Sequence, residues 1–213
     1  MGRKWVSTLL IGAGLLCMLA ALALVLYNDR ESDRAEEAAA QVNVQLSEAI
    51  QERVEEYRAA GIAPPSKYAY VDYMDVVPDM PTVEIEGYEY IGVIEVPAEE
   101  ISLPVMAQWD YVRLKISPCR FTGSYYTNDL VICGHNYSRH FYQLLSIAVG
   151  TDVYFTNVDG VQYHYVVTNR EEVYPMEVDR MTDAAAGKWD LTLFTCFLGG
   201  RTRCAVRCVR VEE

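Results

Sequence analysis

Residues 151–168 read TDVYFTNVDGVQYHYVVT, and this stretch decides the class of fold. Apolar and polar side chains alternate on both sides of Asp159-Gly160, as expected for strands with one buried face. An Asp-Gly pair is typical of a two-residue turn whose positive φ angles match the twist of the flanking strands. The pattern predicts a β-hairpin in which Thr151–Val158 pairs with Val161–Thr168.

Further short strands are predicted on both sides of this hairpin, together with one short helix at Ser138–Leu145. Many short strands with few helices indicate a mainly β fold, either a β-barrel or a sandwich, whose edges are closed or covered. The strands are predicted from period-two alternation or short apolar runs at Ile91–Val96, Leu103–Met106, Leu130–Cys133, Asp190–Cys196 and Arg203–Val211.

The N-terminal segment predicts a membrane anchor. Arg3 and Lys4 precede an uncharged stretch from Trp5 to Asn28, and a helix of this length can cross a hydrocarbon core about 30 Å thick. The positive-inside rule places the N-terminus in the cytoplasm and the rest of the chain outside the cell. A cleaved signal peptide is the alternative, but the apolar run continues beyond the small residues that imitate a cleavage site.

A second helical segment is predicted from about Asp33 to Ala60. This segment is rich in Ala, Glu, Gln and Arg, and Gly61 and two prolines end it. Two alternatives stay open, a solvated stalk and a helix docked on the domain that follows. The apolar residues that recur at helical spacing are Leu46, Ile50, Val54 and Tyr57.

Charge and cysteine spacing limit the classes of partner and cofactor. The formal net charge of −12 would repel a phosphate backbone, so the sequence gives no support to a nucleic-acid partner. No closely spaced pair of cysteines or histidines has zinc-ligand spacing, and neither a metal nor a cofactor is predicted. Cys204 and Cys208 lie about 13 Å apart on one predicted strand, too far for a disulfide, whereas a bridge between Cys119 and Cys133 stays open.

Three residues at the ends of predicted strands could carry covalent chemistry. Cys196 ends one strand and opens a turn, so its thiol could face a groove, and Arg203 follows across that turn. A nearby cation can lower the pKa of a thiol or hold the oxyanion of a tetrahedral intermediate. His135 ends another apolar strand, where an imidazole near a thiol can serve as general acid to a leaving amine. His140 and His164 are predicted to be surface residues.

At these residues the sequence resembles the sortase family. Sortases are marked by a Gly-His pair that ends one strand, by a Thr-Leu-x-Thr-Cys strand, and by an arginine soon after. Here these motifs stand as Gly134-His135-Asn136, Thr192–Cys196 and Arg203–Arg207, in the family order. The resemblance extends over about residues 85 to 211, and the single N-terminal anchor fits it.

The resemblance implies an eight-stranded sortase β-barrel and a transpeptidase mechanism. Cys196 would attack the Thr carbonyl of a Leu-Pro-x-Thr-Gly-like sorting signal, and His135 would protonate the leaving amine. Arg203 would bind substrate and stabilise the oxyanion, with Arg201 and Arg207 as rivals for that role. The acyl group would pass to an amine acceptor, either a peptidoglycan precursor such as lipid II or a pilin lysine. Substrate contacts are expected from Thr195 and Asn136.

The resemblance also suggests a subclass and a division of the chain. The predicted helix and a long segment from Asn169 to Lys188, with a helix expected near Val178–Ala186, look most like class B sortases, although a pilus-polymerising sortase stays open. The expected division is an anchor at 1–28, a helix or stalk at 29–62, a connector at 63–84 and the catalytic barrel at 85–213.

Two other functions are compatible with the same residues. An extracellular cysteine hydrolase would use the same Cys196 and His135 but pass the acyl group to water. A membrane-tethered binding module without catalysis would use its cysteines structurally, and replacement of Cys196 would then cost stability rather than turnover.

Overall fold

The computed structural model describes residues 2–64, 79–182, 189–197 and 199–211, with side chains from residue 5 onward. The chain divides into two compact units, Met1–Arg34 and Ala35–Glu213. Helix α1, Gly2–Ala60, supplies the first unit and the opening of the second. Every side chain from Trp5 to Arg30 is exposed. By length and composition alone, the apolar part of helix α1 could cross a membrane.

Eight strands of the second unit close into a barrel. Their hydrogen-bonded order is β2-β3-β4-β5-β8-β9-β7-β6, and β6 pairs with β2 to complete the ring. Strand β1 pairs with β2 outside this ring. The prediction of a mainly β fold with an eight-stranded barrel is confirmed. The bounds are β1 Val83–Ile85, β2 Tyr88–Val96, β3 Ile101–Met106, β4 Cys119–Thr122, β5 Leu130–Cys133, β6 Asp152–Asn157, β7 Gln162–Val173, helix α2 Val178–Thr182, β8 Leu191–Cys196 and β9 Arg203–Arg210.

Along β5, β8 and β9, successive side chains point to opposite faces of the barrel wall, as expected for strands. One face packs into the main core, which includes Leu130, Ile132, Leu191, Leu193, Cys204, Val206 and Cys208. The opposite face contributes Val131, Cys133, Phe194 and Ala205 to a second apolar cluster. All six cysteines lie within the described residues and all are free thiols, so no disulfide joins Cys119 to Cys133. Cys204 and Cys208 are buried in the main core, as predicted.

The C-terminal half of helix α1 is docked on the barrel, which decides between the two alternatives left open by the sequence. Its buried residues recur every three or four positions and form one apolar face, which consists of Ala35, Ala39, Val42, Leu46 and Ile50. Polar contacts fix the register of the helix. Arg53 Nη1 lies 3.1 Å from Asp159 Oδ1, and the Tyr57 hydroxyl donates to the same oxygen at 3.0 Å.

The predicted hairpin of β6 and β7 is confirmed, but its turn differs from the two-residue form. Gly160 has a positive φ of 77°, whereas Asp159 does not have a positive φ. The Asn157 side chain instead organises a longer loop, because its Oδ1 accepts the N–H groups of Asp159 and Val161. The two-residue turn with two positive φ angles lies at Glu86-Gly87, between β1 and β2.

Several smaller elements differ from the predictions. The helix predicted at Ser138–Leu145 is a single 3-10 turn, Tyr142–Leu145. Helix α2 begins at Val178 as predicted but is described only to Thr182, and residues 183–186 of the prediction lie outside the described residues. Strands β1 and β4 were not predicted. Most of the Tyr-rich connector, residues 65–78, also lies outside the described residues.

Gly160 is expected to be essential for docking of helix α1. A Cβ atom at this position would lie 2.3 Å from Val54 Cγ2, so Gly160→Ala would combine backbone strain with a steric clash. Gly87→Ala is the matched control, because Gly87 has a similar φ of 80° and no atom within 4 Å of such a Cβ. We expect Gly160→Ala to lower the free energy of unfolding by about 1–3 kcal/mol more than Gly87→Ala does. Denaturant titration of both variants measures the difference, and equal losses would contradict the docking role.

Candidate active site

Cys196 and Arg203 face each other at the end of the β8–β9 pair. Cys196 is the last residue of β8, Arg203 is the first residue of β9, and the two are direct partners in the antiparallel register. Directly opposed residues in a sheet point to the same face. The backbone N–H of Phe197 donates to the Thr202 carbonyl at 3.0 Å and extends the pairing into the turn. Both Cys196 and Arg203 are half-buried.

His135 reaches the same end of the barrel on the neighbouring strand. Strand β5 runs parallel to β8, and Cys133 is the partner of Phe194. The Gly134 N–H donates to the Phe194 carbonyl at 3.0 Å, so the pairing continues past the end of β5. Two residues further along both strands, His135 is level with Cys196 and shares its face, since side chains alternate with a period of two. The structure therefore brings all three predicted catalytic residues to adjacent strand ends.

Thr195 links the two strands behind this site. Its hydroxyl donates to the carbonyl of Gly134 at 2.9 Å, and the side chain is fully buried. This bond ties the residue before Cys196 to the residue before His135. Asn136 is half-buried and directly follows His135. Substrate contacts by Thr195 and Asn136 stay predictions.

The rival arginines have different surroundings. Arg203 donates from Nη1 to the turn carbonyls of Gly200 at 3.0 Å and Thr202 at 3.2 Å, while its side chain stays partly accessible. Arg207 is fully buried and forms an ion pair with Glu171 at 3.0 Å. Arg201 is exposed in the turn. Arg207 is therefore committed to internal contacts, which favours Arg203 as the arginine that can meet a substrate.

Burial sets the protonation of the titratable groups around the site. Desolvation lowers the pKa of His135 below its ordinary value, and the positive charge of Lys115 lowers it further. Desolvation also raises the pKa of the barrel thiols, that of Cys119 to about 12 and that of Cys204 to about 11. Because thiolate is the reactive form of cysteine, these buried thiols are held in their unreactive state.

The other two histidines have different roles. His164 is partly exposed, with Nε2 2.8 Å from Asp152 Oδ1. The prediction that His140 lies at the surface is wrong, because its side chain is fully buried and burial lowers its pKa to about 4. Two aromatic rings, Tyr137 and His140, lie behind His135. Sequence reasoning missed Tyr137, since an aromatic residue two positions after a strand end has no periodic signal.

An apolar surface extends from the site along the outer face of the barrel. Phe194 shares the face of Cys196 and contacts Phe121, with ring centroids 5.3 Å apart. Phe121 contacts Trp109 at 5.2 Å, and Trp109 contacts Tyr111 at 5.9 Å. Trp109 and Tyr111 are exposed. This aromatic row begins two residues before Cys196 on the same face of β8 and offers a surface for an apolar ligand.

Solved structures share this fold. Sortase C from Streptococcus pneumoniae superposes with a TM-score of 0.54 at 18% identity, covering 83% of this chain and 97% of that chain. Clostridium perfringens sortase C with the C-terminal cell wall sorting motif gives 0.51 at 18%, with coverages of 89% and 100%. The Clostridium perfringens sortase D5 transpeptidase gives 0.51 at 16%, with coverages of 58% and 79%. A search of curated proteins found no match.

The family model described as the sortase domain matches residues 94–211, which is more than half of the chain. The chain therefore belongs to the sortase family. The solved structures that it resembles include sortases C and D, and the class B subtype expected from the sequence is not confirmed.

Alkylation should separate Cys196 from the other thiols of the barrel. In the folded chain at neutral pH, we expect iodoacetamide to modify half-buried Cys196 while Cys119, Cys133, Cys204 and Cys208 stay unmodified, because burial both shields these thiols and raises their pKa. Peptide mass spectrometry gives the rate at each site, and denatured protein is the control in which all react. Equal rates at Cys133 and Cys196 would contradict the placement.

The hydrogen bond from Thr195 should contribute measurably to stability. Thr195→Val keeps the shape of the side chain but removes the donor to the buried Gly134 carbonyl, which should cost about 1–3 kcal/mol of unfolding free energy. Thr195→Ser keeps a hydroxyl and is the matched control. Denaturant titration followed by fluorescence compares them, and a Val variant as stable as the Ser variant would show that the bond contributes nothing.

Proposed function

We propose that the chain is a membrane-anchored sortase in which Cys196 is the nucleophile, His135 transfers protons and Arg203 stabilises the oxyanion. The observation that carries this proposal is the shared level of the three residues at the ends of β8 and β9 and just beyond the end of β5, in a domain of the sortase family. Nucleophile, proton carrier and cation on neighbouring strand ends are the parts that acyl transfer requires.

The first half-reaction forms a thioester. Because the pKa of His135 is lowered, its imidazole is mostly neutral at pH 7 and can take the thiol proton of Cys196. The thiolate attacks the carbonyl carbon of the scissile peptide, and the guanidinium of Arg203 offsets the charge on the oxyanion. When the C–N bond breaks, the protonated His135 gives its proton to the leaving amine.

The second half-reaction releases the product. An acceptor amine attacks the thioester carbonyl, His135 takes the excess proton from the amine, and the C–S bond breaks. The new amide leaves and the thiol of Cys196 is restored with that proton. The net result is exchange of one amine for another on the same acyl group, with no oxidation or reduction.

The proposed substrate is the sorting signal of a surface protein or pilin, cut between Thr and Gly. Support comes from the structure of Clostridium perfringens sortase C with the C-terminal cell wall sorting motif, a protein with the same fold. The acceptor would be a peptidoglycan precursor or a pilin lysine. The exposed apolar segment of α1 supports an anchor with the N-terminus in the cytoplasm and the barrel outside.

The proposal is tested by transpeptidation with the full chain in detergent micelles. Leu-Pro-x-Thr-Gly-like and variant peptides are offered with glycine peptides, a diaminopimelate-containing muropeptide and a lysine peptide, and products are identified by mass spectrometry. We expect an amide-linked product that falls by at least about 10³-fold in Cys196→Ser while the melting temperature is kept. Cys17→Ser, in the exposed N-terminal segment, is the matched control and should retain activity.

Each other outcome has a defined meaning. Cleavage without ligation in the presence of every amine would support a hydrolase. Loss of stability in Cys196→Ser, without thioester formation by the wild type, would support a binding module in which this cysteine is structural.

A further inference from the structure

The imidazole of His135 is covered by an aromatic ring. Tyr137 stacks on it with ring centroids 4.5 Å apart and an interplanar angle of 11°. A nearly parallel contact at this distance holds the two rings in fixed relative planes and excludes water from one face of the imidazole. The orientation of an imidazole decides which of its nitrogen atoms can reach a proton, so the stack bears directly on proton transfer.

Tyr137 is itself backed by a second ring. The His140 ring lies 5.6 Å from it at an angle of 48°, and His140 is fully buried. Neither nitrogen of His140 has a hydrogen-bond partner of normal geometry. Burial lowers the pKa of His140, and a polar interaction with the backbone of Ala35 in helix α1 raises it in part. A buried imidazole with so few polar contacts is costly, which suggests that its position serves Tyr137.

The backbone of the loop is fixed by its own hydrogen bonds and by helix α1. The Phe141 N–H donates to the His135 carbonyl at 3.1 Å, and the His140 N–H donates to the Tyr137 carbonyl at 3.0 Å. Arg139 Nε lies 3.2 Å from Glu36 Oε2 on helix α1. The chain of contacts therefore runs from the docked helix through His140 and Tyr137 to His135.

We propose that Tyr137 is a positioning residue for His135, whose ring fixes the plane of the imidazole and shields it from water, and that buried His140 supports the Tyr137 ring from behind. The expected effect of Tyr137 on the reaction rate rests on the proposed function. The expected effect of Tyr137 on the pKa and NMR signal of His135 can be measured without any enzymatic reaction.

The groups that face His135 define the expected change in its titration. They are Lys115 from the loop before β4, Cys196 from β8, and Tyr137 and His140 from its own loop. Desolvation is the largest cause of the lowered pKa of His135. Removal of the Tyr137 ring admits water, stabilises the protonated form and raises the pKa toward the ordinary value of about 6.5.

The test uses the full chain in detergent with ¹³C-labelled histidine, because the sequence has three histidines and each gives a resolvable ring signal. We expect the His135 signal of the wild type to be shifted upfield by the stacked ring and to titrate below pH 6.5. Tyr137→Leu should lose the upfield shift and titrate closer to 6.5. Tyr137→Phe should retain both properties, and Tyr142→Leu, at an exposed tyrosine of the same loop, is the matched control.

Kinetics provide the second measurement. Tyr137→Leu should lower kcat of transpeptidation about tenfold, since a misaligned general acid–base loses rate without losing binding, while KM for the sorting peptide is unchanged. Tyr137→Phe should keep the wild-type kcat, because the phenyl ring can stack on the imidazole in the same way. A His135 pKa that is the same in Tyr137→Leu and wild type would overturn the inference.

The test also gives an answer if the Tyr137→Leu variant does not fold or if the wild type has no transpeptidase activity. If Tyr137→Leu does not fold, the wild-type spectrum decides, because a His135 signal without an upfield shift overturns the stack and a shifted signal supports it. If the wild type makes no amide product but its His135 responds to Tyr137→Leu as expected, the proposed function fails and the positioning of the imidazole by Tyr137 is upheld.

Discussion

The parallel pairing of β5 with β8 is the constraint on which the site depends. Because Cys133 pairs with Phe194, the residues two positions later, His135 and Cys196, lie at the same level. The hydrogen bond from the Thr195 side chain to the Gly134 carbonyl also fixes this register. A slip of one residue would turn either His135 or Cys196 to the opposite face of the wall. Closure of the barrel by β2 and β6 prevents such a slip, because every strand of the ring has two neighbours.

Local pattern predicted much of this architecture. Strands β5, β8 and β9 were predicted within one residue of their bounds. Strand β5 is a continuous apolar run, and β8 and β9 carry the family motifs. The docking of helix α1 could not be predicted, because it depends on the surface that the barrel presents to Ala35 and Ala39, two small residues with a weak periodic signal. Strand β4 was missed because it is four residues long and contains Arg120 and Thr122.

In the candidate site, the sequence motifs at the strand ends predicted which residues lie close together. The surroundings of these residues depend on tertiary packing, which the sequence pattern does not show. The burial of His140 contradicts the expectation for a histidine on a short polar helix, because the expected helix is only a 3-10 turn and the loop folds back under helix α1. A local preference that is broken close to the proposed catalytic residues is typical of functional sites. The motif favoured Arg203 over Arg207 from the sequence, and the ion pair of Arg207 with Glu171 supplies the physical reason that the sequence could not give.

The five free thiols of the barrel, those of Cys119, Cys133, Cys196, Cys204 and Cys208, give it a chemical character of its own. Although the proposed location is outside the cell, no disulfide joins any of these cysteines, so maturation of the domain would need no thiol-oxidising machinery. A reducing agent would find no covalent bond to cut, and the fold would withstand it. Among the five thiols of the barrel, an oxidant would instead find one that is partly accessible, that of Cys196, because the other four are buried. With Cys196 as the proposed nucleophile, oxidation of this one thiol at the cell surface would stop turnover without cutting any covalent cross-link of the fold.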